Sequence, residues 1–345
     1  MRGDPASRPR DLAQLPRLTG LRAVAALVVF AHHAQLYGGW PELRFLEAGY
    51  LGVSLFFVLS GFVLTWAARP GDSARRFWSR RFARIYPAYL VGVALAVVLV
   101  DRPPLGPLLA NLALVQAWVP DLDYSFGVSS PNWSLSCEAF FYALFPFVAW
   151  RVAALAPGRA LRLLAGWWLV TNAATVALST VSADVAYMAY ADPLLRSGEF
   201  ALGILGALAL QRGWRPPLAP GAAIALVVGL TAVGWKLKPP FPCLGVMLGP
   251  AFALLIVAAA SADRAGSRDW LSSRALVYGG QISYCFYLVH LSVIDRHVGP
   301  VLPRGAHVAV SLVVAVALAA ALHHAVERPF QRRLSGRPAE RAPAI

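Results

Sequence analysis

Charge is what this chain has least of. Only 14% of its 345 residues are Asp, Glu, Lys or Arg, against 58% that are hydrophobic. A soluble domain of this length carries far more polar surface, so a water-soluble globular fold is excluded. Acidic residues are scarcest, 17 against 31 basic ones, which leaves a net charge of +14. Cysteine is nearly absent. Cys137, Cys243 and Cys285 show neither metal-ligand nor disulfide spacing, and no metal site is read from the sequence. No small-residue cleavage site follows the first apolar run, and residues 1–17 are rich in Arg and Pro, so that run is not a removed signal peptide. There is no internal repeat.

What the chain has instead is a succession of apolar runs, several of the roughly 17–25 residues that a helix needs to cross a bilayer. Ten are read, at 18–37, 50–68, 87–101, 138–156, 161–181, 194–211, 221–237, 244–261, 277–294 and 306–326. The expected fold is all-α: a polytopic integral membrane helical bundle of about ten transmembrane helices, multi-pass in the plasma or inner cell membrane, with lipid as its surroundings. With the N-terminus in the cytoplasm, twenty-four of the 31 basic residues fall on inner segments and seven on outer ones. Orientation in the membrane therefore accounts for the positive charge, and no nucleic acid is needed to explain it. The run from Pro107 to Val119 is too short to span, and as a span it would place the later Arg clusters outside. It reads as interfacial or re-entrant. Ten spans return both termini to the cytoplasm. Residues 1–17 and 334–345 read as disordered tails flanking one transmembrane domain, 18–333.

Polar residues interrupt the apolar runs in a few places. In the first run, Leu18 to Tyr37, Arg22 and His33 stand eleven residues apart. Three helical turns put them on nearly one face, about 16 Å apart along the axis. An ionisable group at lipid depth is costly and marks a functional candidate; the ordinary alternative is a positive flank and a bundle-facing imidazole. The inner loop FWSRRFARIYP, 77–87, gathers Arg80, Arg81 and Arg84. On a short interfacial helix Arg80 and Arg84 share a face. Guanidinium groups offer phosphate planar, bidentate donors, and the same loop also fits simple contact with anionic lipid. The stretch PNWSLSCEAFFYALFP, 131–146, puts Glu138 at the entrance of a span behind Trp133 and Ser134. That carboxylate either favours the helix dipole or orients, or takes a proton from, an imidazole. In DPLLRSGEFALG, 192–203, Arg196 and Glu199 are placed to pair with each other or to meet a substrate. SYCFYLVH ends at His290, near the outer end of its span, where a satisfied histidine is the ordinary reading. HHAVERPF, 323–330, reads as a helix exit stopped by Pro329.

Taken in order, Arg22 with His33, FFVLSGF (56–62), RRFARIYPAY (80–89), NWSLSCEAFFYALFP (132–146), DPLLRSGEFALG, ISYCFYLVH and VERPF resemble the membrane-bound acyltransferase-3 family of O-acyltransferases. The resemblance runs from about residue 18 to 333. It implies transfer of an acyl group, usually acetyl, from cytoplasmic acyl-coenzyme A to a hydroxyl on a carbohydrate or glycosylated acceptor. A small natural product such as a macrolide sugar is the alternative acceptor. Acyl-CoA (acetyl-CoA) enters as a donor co-substrate, with no permanently bound cofactor. On this reading His33 and Glu138 are the catalytic candidates, and Arg22, Arg80, Arg81 and Arg84 meet the donor's phosphates. Trp133, Ser134, Arg196, Glu199 and His290 are the candidates for contact with the acceptor. His33 is expected to act as general base with Glu138 holding its tautomer; a covalent acyl-enzyme is the other route. Cys137-Glu138-Ala139 departs from the family's usual neighbours of that Glu. Some members carry an extracytoplasmic hydrolase-like domain after the last span; none follows here, so a second transfer step would call on a separate extracytoplasmic transferase partner. The competing class is a transporter or flippase for acyl groups or lipid-linked sugars, for which the paired broken helices common in such proteins are not seen.

Overall fold

The structure, a computed structural model, describes residues 15–38, 41–68, 71–99, 102–296 and 304–334. Among these there is no strand. Helices α1 (Pro16–Gly38), α2 (Leu51–Trp66), α3 (Ala74–Leu99), α4 (Leu105–Leu112), α5 (Leu122–Phe126), α6 (Trp133–Ala153), α7 (Pro157–Ser179) and α8 (Ala183–Ala191) make up the first half. They are followed by α9 (Pro193–Gln211), α10 (Pro220–Leu237), α11 (Cys243–Met247), α12 (Gly249–Arg264), α13 (Arg274–Arg296), α14 (Arg304–Leu322) and α15 (Arg328–Leu334). Each of the ten expected spans falls on helix, the eighth on α11 and α12 together, and among the described residues seven helices are long and apolar enough to cross a membrane. The chain is an all-α polytopic membrane protein. Large apolar side chains face outward on the peripheral helices: Leu169 on α7, Val228 on α10 and Val313 on α14 are 58%, 61% and 68% exposed. Lipid, not water, suits such a surface.

Segments that the charge count assigns to one side meet at one end of the bundle. Arg17 pairs with Asp263 at 2.7 Å and with Asp269 at 2.8 Å. Gln211 donates to the carbonyl of Thr65, and the Arg264 guanidinium lies over Trp66. At the opposite end Gln116 donates to the carbonyl of Asn132, and the Tyr187 ring meets Phe126 edge-on and Phe241 at a tilt. The run at 107–119 forms α4 and a short 3-10 turn, with the eight-residue α4 about 12 Å long, far short of a bilayer.

Three boundaries differ from expectation. Arg17, read as the end of a tail, is 2% exposed and helical, because its ion-pair partners lie some 250 residues away where local reading cannot find them. The loop helix at 77–87 and the third span are one continuous helix that passes through Pro87. The helix at 323–330 does not end at Pro329. A π-helical turn, His323–Glu327, lies just before it, and the helix runs on unbroken through Pro329 into α15. Residues 1–14 and 335–345, read as parts of the two tails, lie outside the described residues.

Glycine sets the close crossing of α2 and α9. A Cβ at Gly61 would stand 2.0 Å from the Phe200 carbonyl oxygen, and one at Gly203 would stand 1.9 Å from that of Val58. These glycines, one from FFVLSGF and the last residue of DPLLRSGEFALG, bring α2 and α9 into backbone contact. Replacing Gly203 by Val is expected to destabilise the protein by about 1–3 kcal/mol or more through overpacking. Thermal unfolding in detergent reads that loss; an unchanged midpoint would show that the helices separate freely.

Candidate active site

Three apolar packing clusters fill the bundle, and residues shared between them mark where they meet. Phe56 packs on the clusters built around α1–α2–α12 and α1–α3–α13–α14, and Tyr142 packs on the latter and on the α2–α6–α9 cluster. At that junction lies a small cavity lined by Arg22, Phe56, Ser60, Arg81, Arg84, Glu138, Tyr142 and Tyr284 among others. A second small cavity shares Arg22, Phe56, Glu138 and Tyr284 and extends to Ser134, Ser283 and Tyr287. Four shared lining residues make the two halves of one passage. Its basic end is formed by Arg22, Arg81 and Arg84, and its other end approaches the entrance of α6 at Ser134.

The basic end is built by α1 and α3. Arg81 and Arg84, at i and i+3, point into the cavity beside Arg22. The Arg81 guanidinium lies 5.5 Å over the Phe77 ring and 6.0 Å over the Tyr142 ring, and its buried Nε has no hydrogen-bond partner. Arg80 shares the face of Arg84, at i and i+4, but its side chain pairs with Asp72 and does not line the cavity.

Glu138 belongs to this basic end. It accepts a 2.7 Å hydrogen bond from the Tyr142 hydroxyl, one turn along α6, and lies within electrostatic reach of Arg22. The expected contact with His33 is not the one formed. His33 Nδ1 lies 3.1 Å from His290 Nε2 and 3.1 Å from the Val29 carbonyl oxygen. His32 faces away, toward the Leu46 carbonyl. His290 in turn stands 2.8 Å, through Nδ1, from the Tyr287 carbonyl oxygen. Neither His33 nor His290 lines the two cavities; Tyr287 connects them. Its hydroxyl meets Ser134 Oγ at 2.9 Å and donates to the Pro131 carbonyl, while its ring packs on His290.

Of the other expected acceptor contacts, only Ser134 lines the passage. Trp133, Arg196 and Glu199 are fully buried beside it. Arg196 pairs with Glu199 at 3.0 Å, donates to Ser54 Oγ at 2.9 Å, and is enclosed by the rings of Phe57, Trp133 and Tyr190. The lining residues Tyr142, Tyr284 and Tyr287 were not singled out by sequence. A signal existed: Tyr142 follows Glu138 by four, and Tyr284, Tyr287 and His290 recur every three residues, so each set forms a stripe on one helix face.

Cys285, His323 and Glu327 bring a thiol, an imidazole and a carboxylate within 4.8 Å of one another. The composition suits a metal, but the three groups already satisfy one another. Glu327 accepts from His323 at 2.7 Å, from Cys285 at 3.2 Å and from Gln331 at 2.8 Å. Arg84 and Arg22 act on the same carboxylate and make the place unfavourable for an added cation.

Residues 15–324 match the family model described as "Acyltransferase domain". The chain is 37% identical to "Acyltransferase MdmB" of Streptomyces mycarofaciens, over 97% of this chain and 96% of that protein. It is 32% identical to "Peptidoglycan O-acetyltransferase OatA" of Listeria monocytogenes over 153 residues, 38% of this chain and 24% of that protein. A similar stretch, 39% of the chain, is 32% identical to "O-acetyltransferase OatA" of Staphylococcus aureus, of which it covers 24%. No solved structure matches.

Proposed function

Because this chain belongs to the acyltransferase-3 family, and so is an acyltransferase for groups other than amino-acyl, we propose that it moves an acetyl group from acetyl-CoA to a hydroxyl of a carbohydrate or glycosylated acceptor. The OatA relatives, named for O-acetyl transfer and one of them for peptidoglycan, support the acetyl group and the sugar hydroxyl. The match along the full length of a Streptomyces acyltransferase keeps a small glycosylated natural product as the alternative acceptor. The proposed site of action is the plasma membrane, with donor on the basic inner face and acceptor on the other.

The observation that carries this reading is the passage itself. Arg22, Arg81 and Arg84 converge on one cavity whose only lining carboxylate is Glu138, and that cavity continues toward Ser134 and Tyr287. Such a set suits the phosphates of a nucleotide donor. The unpartnered Nε of Arg81 is a buried donor awaiting an acceptor. Glu138 and Tyr142 hold the cationic cluster in place from α6. His33, some 16 Å along α1 from Arg22, supplies the base. In the step proposed, its imidazole takes the proton of the acceptor hydroxyl as that oxygen attacks the thioester carbonyl. The C–S bond then breaks, and the proton passes to the coenzyme A sulfur.

Purified protein in detergent, given acetyl-CoA and a panel of sugar acceptors, is expected to release free coenzyme A only when an acceptor is present. Release independent of every acceptor would overturn the reading. Arg81→Ala and Arg84→Ala are each expected to raise the donor KM about tenfold or more, since a charge-assisted hydrogen bond is worth about 1.5–3 kcal/mol. Arg80→Ala, with its charge already paired to Asp72, should leave that KM within about threefold. An equal effect at all three positions would show a general surface field instead of a phosphate site.

A further inference from the structure

His290 is 1% exposed, and its two ring contacts assign its hydrogen. Nδ1 faces the Tyr287 carbonyl oxygen at 2.8 Å. A carbonyl only accepts, so Nδ1 is the N–H, and in a neutral ring Nε2 is then the acceptor. That acceptor points at His33 Nδ1, 3.1 Å away. The other neighbour of His33 Nδ1 is the Val29 carbonyl oxygen, also an acceptor. Both partners of that nitrogen demand a donor. His33 therefore carries its hydrogen on Nδ1 and keeps its lone pair on Nε2.

From this we propose that His290 is a positioning residue for acyl transfer: with the Tyr287 carbonyl behind it, it holds His33 in the Nδ1–H tautomer whose Nε2 takes the hydroxyl proton. The proposal rests on the reading of His33 as the base. It assigns His290 to the place that a carboxylate fills in serine-hydrolase triads, with a neutral acceptor in its stead. When His33 gains the proton, its Nδ1–H still donates to two acceptors, so the imidazolium needs no rearrangement. The geometry depends on how closely α13 approaches α1. A Cβ at Gly280 would lie 1.8 Å from the Thr19 carbonyl oxygen, and one at Gly279 would lie 3.2 Å from the Ala23 Cβ. Tyr287 ties this pair to the passage. Its backbone oxygen fixes His290, and its hydroxyl sits with Ser134 on the cavity wall. His290 touches His33, not the passage, so its effect is expected on the rate of the chemical step and not on acceptor binding.

Two measurements test this. In wild-type protein labelled with 15N-histidine, NMR is expected to show His33 as a neutral ring protonated at Nδ1; a ring protonated at Nε2 overturns the proposal without any variant. In kinetics with acetyl-CoA and the sugar acceptor that gives the fastest coenzyme A release, His290→Leu is expected to lower kcat by about 10²-fold or more with both KM values unchanged. His290→Gln, whose amide oxygen can accept from His33 Nδ1–H, is expected to recover kcat to within about tenfold of wild type. A leucine variant with wild-type kcat, a rise confined to the acceptor KM, or a glutamine variant as slow as leucine each overturns the proposal. If the leucine variant does not fold, the glutamine variant and the NMR result decide. Full activity in His33→Asn would instead remove the base itself, so failure of the underlying reading is seen separately.

Discussion

Asparagine in place of His33 is expected to lower kcat for acyl transfer by about 10²–10⁴-fold while leaving the protein folded and donor KM unchanged. The choice of Asn follows from the contacts. Its amide nitrogen can occupy the place of Nδ1 and donate to both the Val29 carbonyl and His290 Nε2, so the join between α1 and α13 keeps its hydrogen bonds. What it cannot supply is a basic lone pair at the position of Nε2. A large rate loss with an unchanged unfolding midpoint therefore isolates proton transfer from packing. Near-normal kcat would remove His33 from the chemistry. A single turnover with labelled acetyl-CoA separates the two routes: direct transfer leaves no label on the protein, whereas an acyl-enzyme leaves one.

Much of the architecture was legible because it is written in local hydropathy. Each apolar run found its helix, and the charge count grouped segments that do meet, as Arg17 meets Asp263 and Gln211 meets Thr65. The motif glycines at 61 and 203 were legible as motif members but not as a crossing, since the crossing exists only when two distant helices touch. Side-chain partners were less accessible. Arg80, Arg81 and Arg84 are equivalent in a sequence, and only the position of Asp72 decides that the Arg80 guanidinium is held out of the cavity. Glu138 lies on the helix that faces the arginines of α1 and α3, so its partner is Tyr142 one turn on, and the imidazole is left to His290 on α13. The continuity of α3 through Pro87 and the π-turn at 323–327 were hidden for a similar reason. Proline weakens a helix locally, and packing against neighbouring helices outweighs that loss.

The buried pair Arg196–Glu199 gives the largest expected change in stability. Arg196 is 0% exposed, and only its Nη2 has polar partners, Glu199 and Ser54. Nε and Nη1 have no hydrogen-bond partner, and the guanidinium lies over the rings of Phe57, Trp133 and Tyr190. Those rings attract a cation but do not replace a counter-charge. Glu199→Leu alone leaves that charge buried and unpaired and is expected to cost about 3–5 kcal/mol. Removing both charges, in Arg196→Met with Glu199→Leu, takes away the desolvation penalty along with the attraction, and is expected to restore most of that loss. The same double variant decides what the pair is for. If it braces α9 against α2 and α6, the restored protein keeps the acceptor KM of wild type. If it meets the acceptor, the protein regains its stability while that KM rises about tenfold or more, the loss of a charge-assisted contact. The enclosure of both groups, away from the walls of the passage, favours the first outcome.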